Sequence, residues 1–139
     1  MKIYISSTVW KALLWNEDNK KILPILESYI HERHQLYTSV YSVLNVFSEF
    51  PKDKKEKERS FLHLVNEIVE EILSFSRETL EVLAGNADTA NANPTLHLLS
   101  VESSIALLSG MEEVLYFERA NADLPESKLP LRNLFGEMN

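Results

Sequence analysis

The stretch Lys2-Ile3-Tyr4-Ile5-Ser6-Ser7-Thr8-Val9, near the start of the chain, contains the first element of secondary structure that the sequence predicts. Its first half is an apolar run of residues that favour β-structure, and three hydroxyl-bearing residues follow at once. This order predicts a short buried strand that ends in a polar turn. Apolar residues then recur at helical spacing at Trp10, Leu13 and Leu14, so a short helix is expected after the turn.

The alternation of strand and helix continues along the rest of the sequence. Short apolar segments predict further strands at residues 36–39, 72–75 and 114–117. Apolar residues at helical spacing predict helices between them, and Pro24 is expected in the first turn of the second helix. No strand is predicted in the tail after Ala120. This pattern predicts a three-layer α/β/α fold with a central parallel sheet of four to five strands.

Such a fold places candidate ligand sites at one edge of the sheet, because ligands of open parallel sheets bind beyond the carboxyl ends of the strands. The positions to inspect are therefore residues 6–8, the residues from Ser39 onward, and residues 117–119. A glycine-rich phosphate loop would follow the first strand at residues 6–8, but the first glycine of the chain is Gly85. Dinucleotide and P-loop binding of that kind are excluded, since the backbone cannot approach the phosphates closely.

The composition is that of an ordinary globular protein. Of 139 residues, 45% are hydrophobic and 25% are charged, and there is no cysteine. Thiolate catalysis, disulfides and cysteine-ligated zinc are therefore excluded. The length predicts one domain over residues 1–139. No apolar run approaches the roughly 18 residues that a membrane span needs, and no signal peptide is recognisable, so we expect a cytoplasmic protein with no membrane partner.

The charge balance argues against nucleic acid as the main partner. The chain has 14 Lys and Arg against 21 Asp and Glu, a formal net charge of −7. Binding to a phosphate backbone depends on neutralisation by Lys and Arg, which an acidic chain supplies poorly. The four histidines (His31, His34, His63 and His97) are interpreted as structural side chains and not as metal ligands.

Four segments spread over nearly the whole chain carry a family resemblance. They are Lys2-Ile3-Tyr4-Ile5-Ser6-Ser7-Thr8-Val9, Tyr37-Thr38-Ser39-Val40-Tyr41-Ser42-Val43-Leu44-Asn45-Val46, Pro94-Thr95-Leu96-His97-Leu98-Leu99 and Gly110-Met111-Glu112-Glu113-Val114-Leu115-Tyr116-Phe117-Glu118. In this order they resemble four parts of the PIN domain, the small nuclease fold of VapC-type toxins. These parts are its opening strand, its second strand with the following helix, its Asp-Ala-Leu-His-Leu-Ala helix start, and its closing Gly-Ala-Asp and Thr-Phe-Asp motifs.

The resemblance implies a site in which three or four carboxylates hold Mg²⁺ or Mn²⁺, and the metal activates water against a phosphodiester. In this chain Ser6 stands at the first Asp position, Asn45 at the Glu position and Pro94 at the next Asp position, while Glu118 alone keeps an acid. A hydroxyl, an amide and one carboxylate lack the charge that a hard cation needs. We therefore expect Ser6, Thr8, Asn45, Pro94 and Glu118 to form a vestigial rim, with no metal cofactor.

The first functional hypothesis is a PIN-like protein that has lost its nuclease site and acts as a non-catalytic binding or interaction module. The family commonly forms homodimers through its helices, so the resemblance implies a homo-oligomer or a protein partner. A relation to toxin–antitoxin systems follows from the same resemblance.

Two alternatives stay open. One is a divergent Mg²⁺- or Mn²⁺-dependent endoribonuclease of the toxin–antitoxin type, which would use Glu118 with Glu49 or Asp88. Glu102 is a further substitute acid, eight residues after Pro94 and about 12 Å along a helix. The other alternative is a doubly wound small-molecule binder, in which the side chains of Ser6, Thr8 and Asn45 supply hydrogen bonds.

Overall fold

Five parallel strands form one sheet at the centre of the protein. The computed structural model describes residues 1–52, 55–74, 76–84, 94–120 and 123–138. The strands are β1 (Lys2–Ile5), β2 (Gln35–Ser39), β3 (Glu71–Leu73), β4 (Glu113–Tyr116) and β5 (Leu131–Asn133). Their order across the sheet is β3-β2-β1-β4-β5, and every neighbouring pair is parallel. The carboxyl ends of all five strands therefore lie along one edge, with β1 in the middle.

The described part of the chain contains six α-helices and a final short 3₁₀ helix. They are α1 (Ser7–Trp15), α2 (Asn19–His31), α3 (Val40–Phe47), α4 (Lys55–Ile68), α5 (Arg77–Ala84), α6 (Pro94–Leu108) and the 3₁₀ helix Leu134–Glu137. Among these described helices, none has both the length and the apolar character that a membrane crossing requires.

Alternate residues of the strands serve two separate cores. Ile3 and Ile5 of β1 point into a core that buried side chains of α1, α2, α3 and α4 complete. Tyr4, between them, points to the opposite face and packs in a second core with Val114 of β4 and Ile105 of α6. Successive side chains of a strand point to opposite faces, so helices cover the sheet on both sides. The predicted three-layer α/β/α fold with a parallel sheet is confirmed.

The end of α6 is set by Gly110, as its position in the sequence suggests. Gly110 has φ +79°, its N–H bonds the carbonyl of Leu107 at 3.2 Å, and the N–H of Met111 bonds the carbonyl of Ala106 at 2.9 Å. This pair of bonds is the Schellman arrangement, whose left-handed position favours glycine. Met111 is then buried in the second core and leads the chain into β4.

The tail after Ala120 departs from the prediction, because residues 131–133 form β5. This edge strand pairs with β4 in the register Val114↔Leu131 to Tyr116↔Asn133. Its sequence, Leu-Arg-Asn, has one apolar residue in three and gives no strand signal of its own. The fifth strand forms because its backbone completes the hydrogen bonding of β4.

One helix prediction also needs correction. Pro24 lies inside α2, five residues after its start at Asn19, and not in the first turn, because polar residues extend the helix before the apolar stripe begins. The apolar sequence of α6 predicts a largely buried helix, and Leu99, Val101 and Ile105 are at most 2% exposed. Leu107 and Leu108, in its last turn, are 41% and 46% exposed.

Candidate functional site

The carboxyl end of β1 leads directly into α1 through Ser6. Ser6 has extended backbone angles and is the N-cap of α1, where its Oγ accepts a hydrogen bond of 3.1 Å from the N–H of Thr8. A serine at this position satisfies a donor that the helix leaves unpaired. The strand therefore passes into the helix without a loop, and both Ser6 and Ser7 are completely buried at this junction.

The carboxyl end of β2 leads into α3 in the same way. Ser39 is the N-cap, and its Oγ accepts a hydrogen bond of 3.3 Å from the N–H of Ser42. The Tyr4 hydroxyl lies 2.5 Å from Ser39 Oγ and 2.6 Å from Ser42 Oγ. Two strand–helix junctions, from neighbouring parallel strands, thus present buried hydroxyl groups to each other.

Glu102, from the middle of α6, places its carboxylate between these junctions. Ser6 Oγ donates to Glu102 Oε1 at 2.6 Å, while the N–H of Ser7 and the hydroxyl of Ser42 donate to Oε2 at 2.7 and 2.5 Å. Glu102 is 0% exposed. We call Tyr4, Ser6, Ser7, Ser39, Ser42 and Glu102 the Glu102 network.

The hydroxyl protons of the network have one consistent arrangement when Glu102 is ionised. A serine hydroxyl carries one proton, so Ser42, which donates to Glu102, must accept at its oxygen from Tyr4. Tyr4 in turn accepts from Ser39. Every donor in the chain of bonds thus points toward the Glu102 carboxylate.

Burial controls the protonation of this network. It raises the pKa of Glu102 above its ordinary value of 4.5, while the hydrogen bonds from Ser42, Ser6 and Ser7 act in the opposite direction. Burial, followed by the charge of Glu102, also raises the pKa of Tyr4 and of Tyr41. Tyr4 therefore remains a neutral hydroxyl donor.

Thr8 connects the Glu102 network to the carboxyl end of β4. Its Oγ1 lies 2.9 Å from Ser6 Oγ and accepts a hydrogen bond of 3.0 Å from the N–H of Phe117. Glu118 follows, and its Oε1 accepts a hydrogen bond of 3.2 Å from the N–H of Ala120. Asn133, at the end of β5, holds the backbone of Glu118 through bonds of 3.1 and 2.8 Å.

An open cleft of about 370 Å³ lies beside Thr8 and Glu118. Its lining residues are Thr8, Lys11, Ala12, Trp15, Asn16, Phe117, Glu118 and Arg119. Both cations of this lining are paired. Lys11 Nζ lies 3.4 Å from Glu49 Oε2, and Arg119 pairs with Glu17 and Asp18. Glu49 is therefore neutralised by an ammonium group of the chain itself.

The structure brings together some of the predicted rim residues. The carboxyl ends of β1 and β4 carry three of them side by side, in the order Ser6, Thr8 and Glu118, as described above. Asn45 Oδ1 is buried on α3 and accepts no hydrogen bond within the described part of the chain. Pro94 is the first residue of α6, two turns before Glu102. Asp88 lies outside the described residues.

The sequence did not reveal that Glu102 forms the centre of this edge, although a signal was present. Glu102 is the only Asp, Glu, Lys or Arg among residues 94–108, a helix otherwise rich in apolar residues. Charged residues are almost never fully buried unless they are paired. A lone acid in a helix expected to be buried therefore indicates that other elements supply hydrogen-bond donors.

The residues at this edge do not fit a divalent metal ion of the kind that a PIN nuclease uses. The Glu102 carboxylate is buried and already accepts three hydrogen bonds. Among the residues that the structure describes, no group of three or more His, Cys, Asp or Glu could hold a metal ion. Mg²⁺ needs several hard oxygen ligands in near-octahedral geometry, and the described residues do not supply them.

Comparison with known proteins identifies the fold. No protein-family model matches the sequence, and no curated protein sequence matches it. A chain in the crystal structure of VapBC2 from Rickettsia felis, bound to a DNA fragment from their promoter, is similar to this protein with a TM-score of 0.64. The two chains are 17% identical, and the match covers 96% of this chain and 98% of that one. The sheet order, the layers and this match together give the protein a PIN-type fold of the VapC kind.

Proposed function

We propose that this chain is a non-catalytic binding protein with a PIN-type fold, related to toxin–antitoxin systems, which acts on a protein partner and does not cleave RNA. The observation that carries the proposal is the burial and hydrogen bonding of the Glu102 carboxylate. This carboxylate is completely buried and accepts hydrogen bonds from Ser6, Ser7 and Ser42. A metal-dependent nuclease needs carboxylates that are free to bind the cation and to lower the pKa of its water.

The electrostatics of the cleft support the same proposal. Glu118 uses its Oε1 to accept a hydrogen bond from Ala120, and Glu49 is paired with Lys11. The net charge of −7 disfavours the approach of a polyanion such as RNA. A protein partner or a second copy of the chain needs no phosphate-binding surface.

A binding role has further support from an exposed aromatic residue and from the structural neighbour. Trp15 is 47% exposed, and its ring lies edge-on to that of Phe50, with 5.1 Å between the centroids. Aromatic residues are enriched at protein interfaces. The neighbour from Rickettsia felis is a VapBC complex, so a chain of this fold assembles with other macromolecules in that case. We propose homo-oligomer formation or binding to a protein partner for this chain.

A thermal-unfolding titration with Mn²⁺ tests the loss of the metal site. A cation that binds only the folded protein stabilises it by roughly 2.7 kcal/mol at a hundredfold excess over its Kd. We expect no shift of the unfolding midpoint at millimolar Mn²⁺, for the natural protein or for Glu118→Ala. RNA cleavage that requires Mg²⁺ or Mn²⁺ and disappears in Glu118→Ala would overturn the proposal.

That result would instead establish the alternative, a divergent ribonuclease that uses Glu118. The observation in its favour is that Glu118 lines an open cleft. Lys11, which pairs with Glu49, lines the same cleft. Glu49→Gln is the informative second variant. It should abolish cleavage if Glu49 is a ligand and leave cleavage unchanged if Glu49 only pairs with Lys11.

Association is tested separately by sedimentation velocity over a wide range of protein concentration. We expect a concentration-dependent rise in mass if the partner is a second copy, and Trp15→Ala should weaken it. A chain that stays monomeric directs the search to another protein.

The small-molecule alternative relied on hydrogen bonds from Ser6, Thr8 and Asn45. Of these three residues only Thr8 lines the cleft, since Ser6 is completely buried and Asn45 is not among the lining residues.

A further inference from the structure

The donors at the carboxyl ends of β1 and β2 are arranged for an anion. Three of them converge on one carboxylate: the hydroxyl of Ser6, the N–H of Ser7 and the hydroxyl of Ser42. They come from the start of α1 and from the first turn of α3. The start of a helix carries partial positive charge, so two helices favour negative charge at the same point.

Buried hydroxyl groups add side-chain donors to the two helix starts. Ser6 and Ser42 are both 0% exposed, and each directs its Oγ to a different oxygen of the same carboxylate. Tyr4, also 0% exposed, donates its hydroxyl proton to Ser42 Oγ at 2.6 Å. Buried hydroxyl donors such as these require an acceptor, because a buried donor without a partner is costly in free energy.

We infer that the carboxyl ends of β1 and β2 form a carboxylate-binding site, and that its ligand is the chain's own Glu102. The site presents hydrogen-bond donors, whereas a cation site in the same position would present oxygen acceptors. The inference therefore deepens the proposed function, the loss of the metal site, and rests on it. Glu102 connects three elements that are distant in sequence, since it lies 96 residues from Ser6 and 60 residues from Ser42.

The inference predicts that a free carboxylate can replace the Glu102 side chain. Glu102→Ala keeps the Cβ atom and removes one carbon together with the carboxylate group. The atoms removed correspond to acetate, and the cavity that remains is lined by the donors of Ser6, Ser7 and Ser42. Acetate should therefore bind to Glu102→Ala and restore stability.

The experiment is chemical denaturation of Glu102→Ala at neutral pH in acetate, with sodium chloride of equal ionic strength as the reference. Acetate at a hundredfold excess over its Kd should raise the folding equilibrium constant about a hundredfold. Ile105→Ala is the matched control, because Ile105 is on the same helix, is 1% exposed and leaves an apolar cavity. Acetate should change the stability of Ile105→Ala and of the natural protein no more than chloride does.

Equal effects of acetate on all three proteins would overturn the inference. Stabilisation of the natural protein by Mn²⁺, lost in Glu102→Ala, would also overturn it, since Glu102 would then be a cation ligand, and the proposed function would fail with it. Absence of an acetate effect without any Mn²⁺ effect removes the inference alone.

A second set of variants decides the question if Glu102→Ala does not fold in any buffer. Ser42→Ala should lower the folding equilibrium constant more in the natural protein than in Glu102→Gln, because the hydroxyl of Ser42 donates to the carboxylate. This coupling is measured with the double-mutant cycle. Additive effects of the two substitutions would overturn the inference.

Discussion

Ser42 Oγ donates a hydrogen bond of 2.5 Å to Glu102 Oε2, and the two residues are 60 positions apart in the sequence. Both side chains are completely buried, so water cannot replace either partner. The bond attaches the first turn of α3 to the middle of α6, across the end of β2. Together with the bond from Ser6, it makes one buried carboxylate the point at which the helices of the two faces meet.

The buried carboxylate should make the stability of the protein depend on pH. Because burial raises the folded-state pKa of Glu102 above 4.5, the folded protein holds the proton more tightly than the unfolded chain does. The contribution of Glu102 to stability is therefore greatest below this value and falls as the pH rises through the folded-state pKa. Urea denaturation of the natural protein and of Glu102→Gln, from pH 4 to pH 8, measures this contribution as the difference between them.

We expect the natural protein to lose stability relative to Glu102→Gln as the pH rises. Burial and the charge of Glu102 raise the pKa values of Tyr4 and Tyr41, so both hydroxyl groups stay neutral between pH 4 and pH 8. A natural protein that gains stability relative to Glu102→Gln with rising pH would show that the hydrogen bonds outweigh burial.

A second carboxylate at the end of β1 should be strongly unfavourable. Ser6→Asp restores the acid that the resembled family has at this position, but it places that acid beside Glu102, to which Ser6 now donates at 2.6 Å. Like charges in a buried site repel, so Ser6→Asp should be less stable than Ser6→Asn by about 2–4 kcal/mol at neutral pH. Asparagine is the matched control, because it has nearly the same shape without the charge.

Thermal and urea unfolding of the two variants measure the difference, which should shrink toward pH 4 as one acid is protonated. Mn²⁺ should not restore the stability of Ser6→Asp. A large stabilisation by Mn²⁺ would indicate that the edge still accommodates a cation when one acid is returned.

Gly110 should be intolerant of a side chain even though there is space for one. A Cβ atom at Gly110 would meet nothing within 4 Å, but the residue has φ +79°, which is costly for any residue with a Cβ. Gly110→Ala should lower the stability by about 1–2 kcal/mol. Gly136, also with open space around its Cβ position, is the matched control, and Gly136→Ala should be neutral or slightly stabilising. Equal losses in the two variants would contradict the role of the backbone conformation at Gly110.

Arg132 should matter more to stability than Arg119, although both are partly exposed. Arg132 Nε lies 2.6 Å from Oε1 of Glu113, whose side chain is only 4% exposed, and Arg132 Nη1 donates to the Tyr29 hydroxyl at 3.0 Å. Arg132→Met would leave the buried carboxylate of Glu113 without its cation, which should cost about 2–3 kcal/mol. The ion-pair partners of Arg119, Glu17 and Asp18, are 75% and 23% exposed, so water can solvate their carboxylates. Arg119→Met should therefore leave the unfolding midpoint nearly unchanged.

Urea denaturation of both variants measures this comparison. Because Arg132 lies in β5, its loss should also release the tail. Amide exchange at Val114, whose N–H bonds the carbonyl of Pro130 at 3.0 Å across the β4–β5 pair, should accelerate in Arg132→Met. Equal stability of the two variants would mean that the pair with Glu113 does not hold β5 against β4.

The class of the fold, and the end of the sheet that carries the candidate site, can be predicted from the sequence alone. Alternating strand and helix signals predict a parallel sheet. Ser39 and Gly110 are typical of a helix start and a helix end, because each acts on its own immediate neighbours. Such local signals are legible in a single sequence, since backbone geometry and capping depend on residues a few positions apart.

The side chain that occupies the carboxyl ends of β1 and β2 could not be predicted in this way, because it comes from a distant helix. The apolar surroundings of Glu102 in the sequence suggest a buried acid, but its partners Ser6 and Ser42 are 96 and 60 residues away. The strand β5 depends in the same way on β4, to which it is parallel, and on Arg132, which reaches Glu113. A short polar segment or a lone acid takes its role from the elements that pack against it, so the chain must fold before those roles exist.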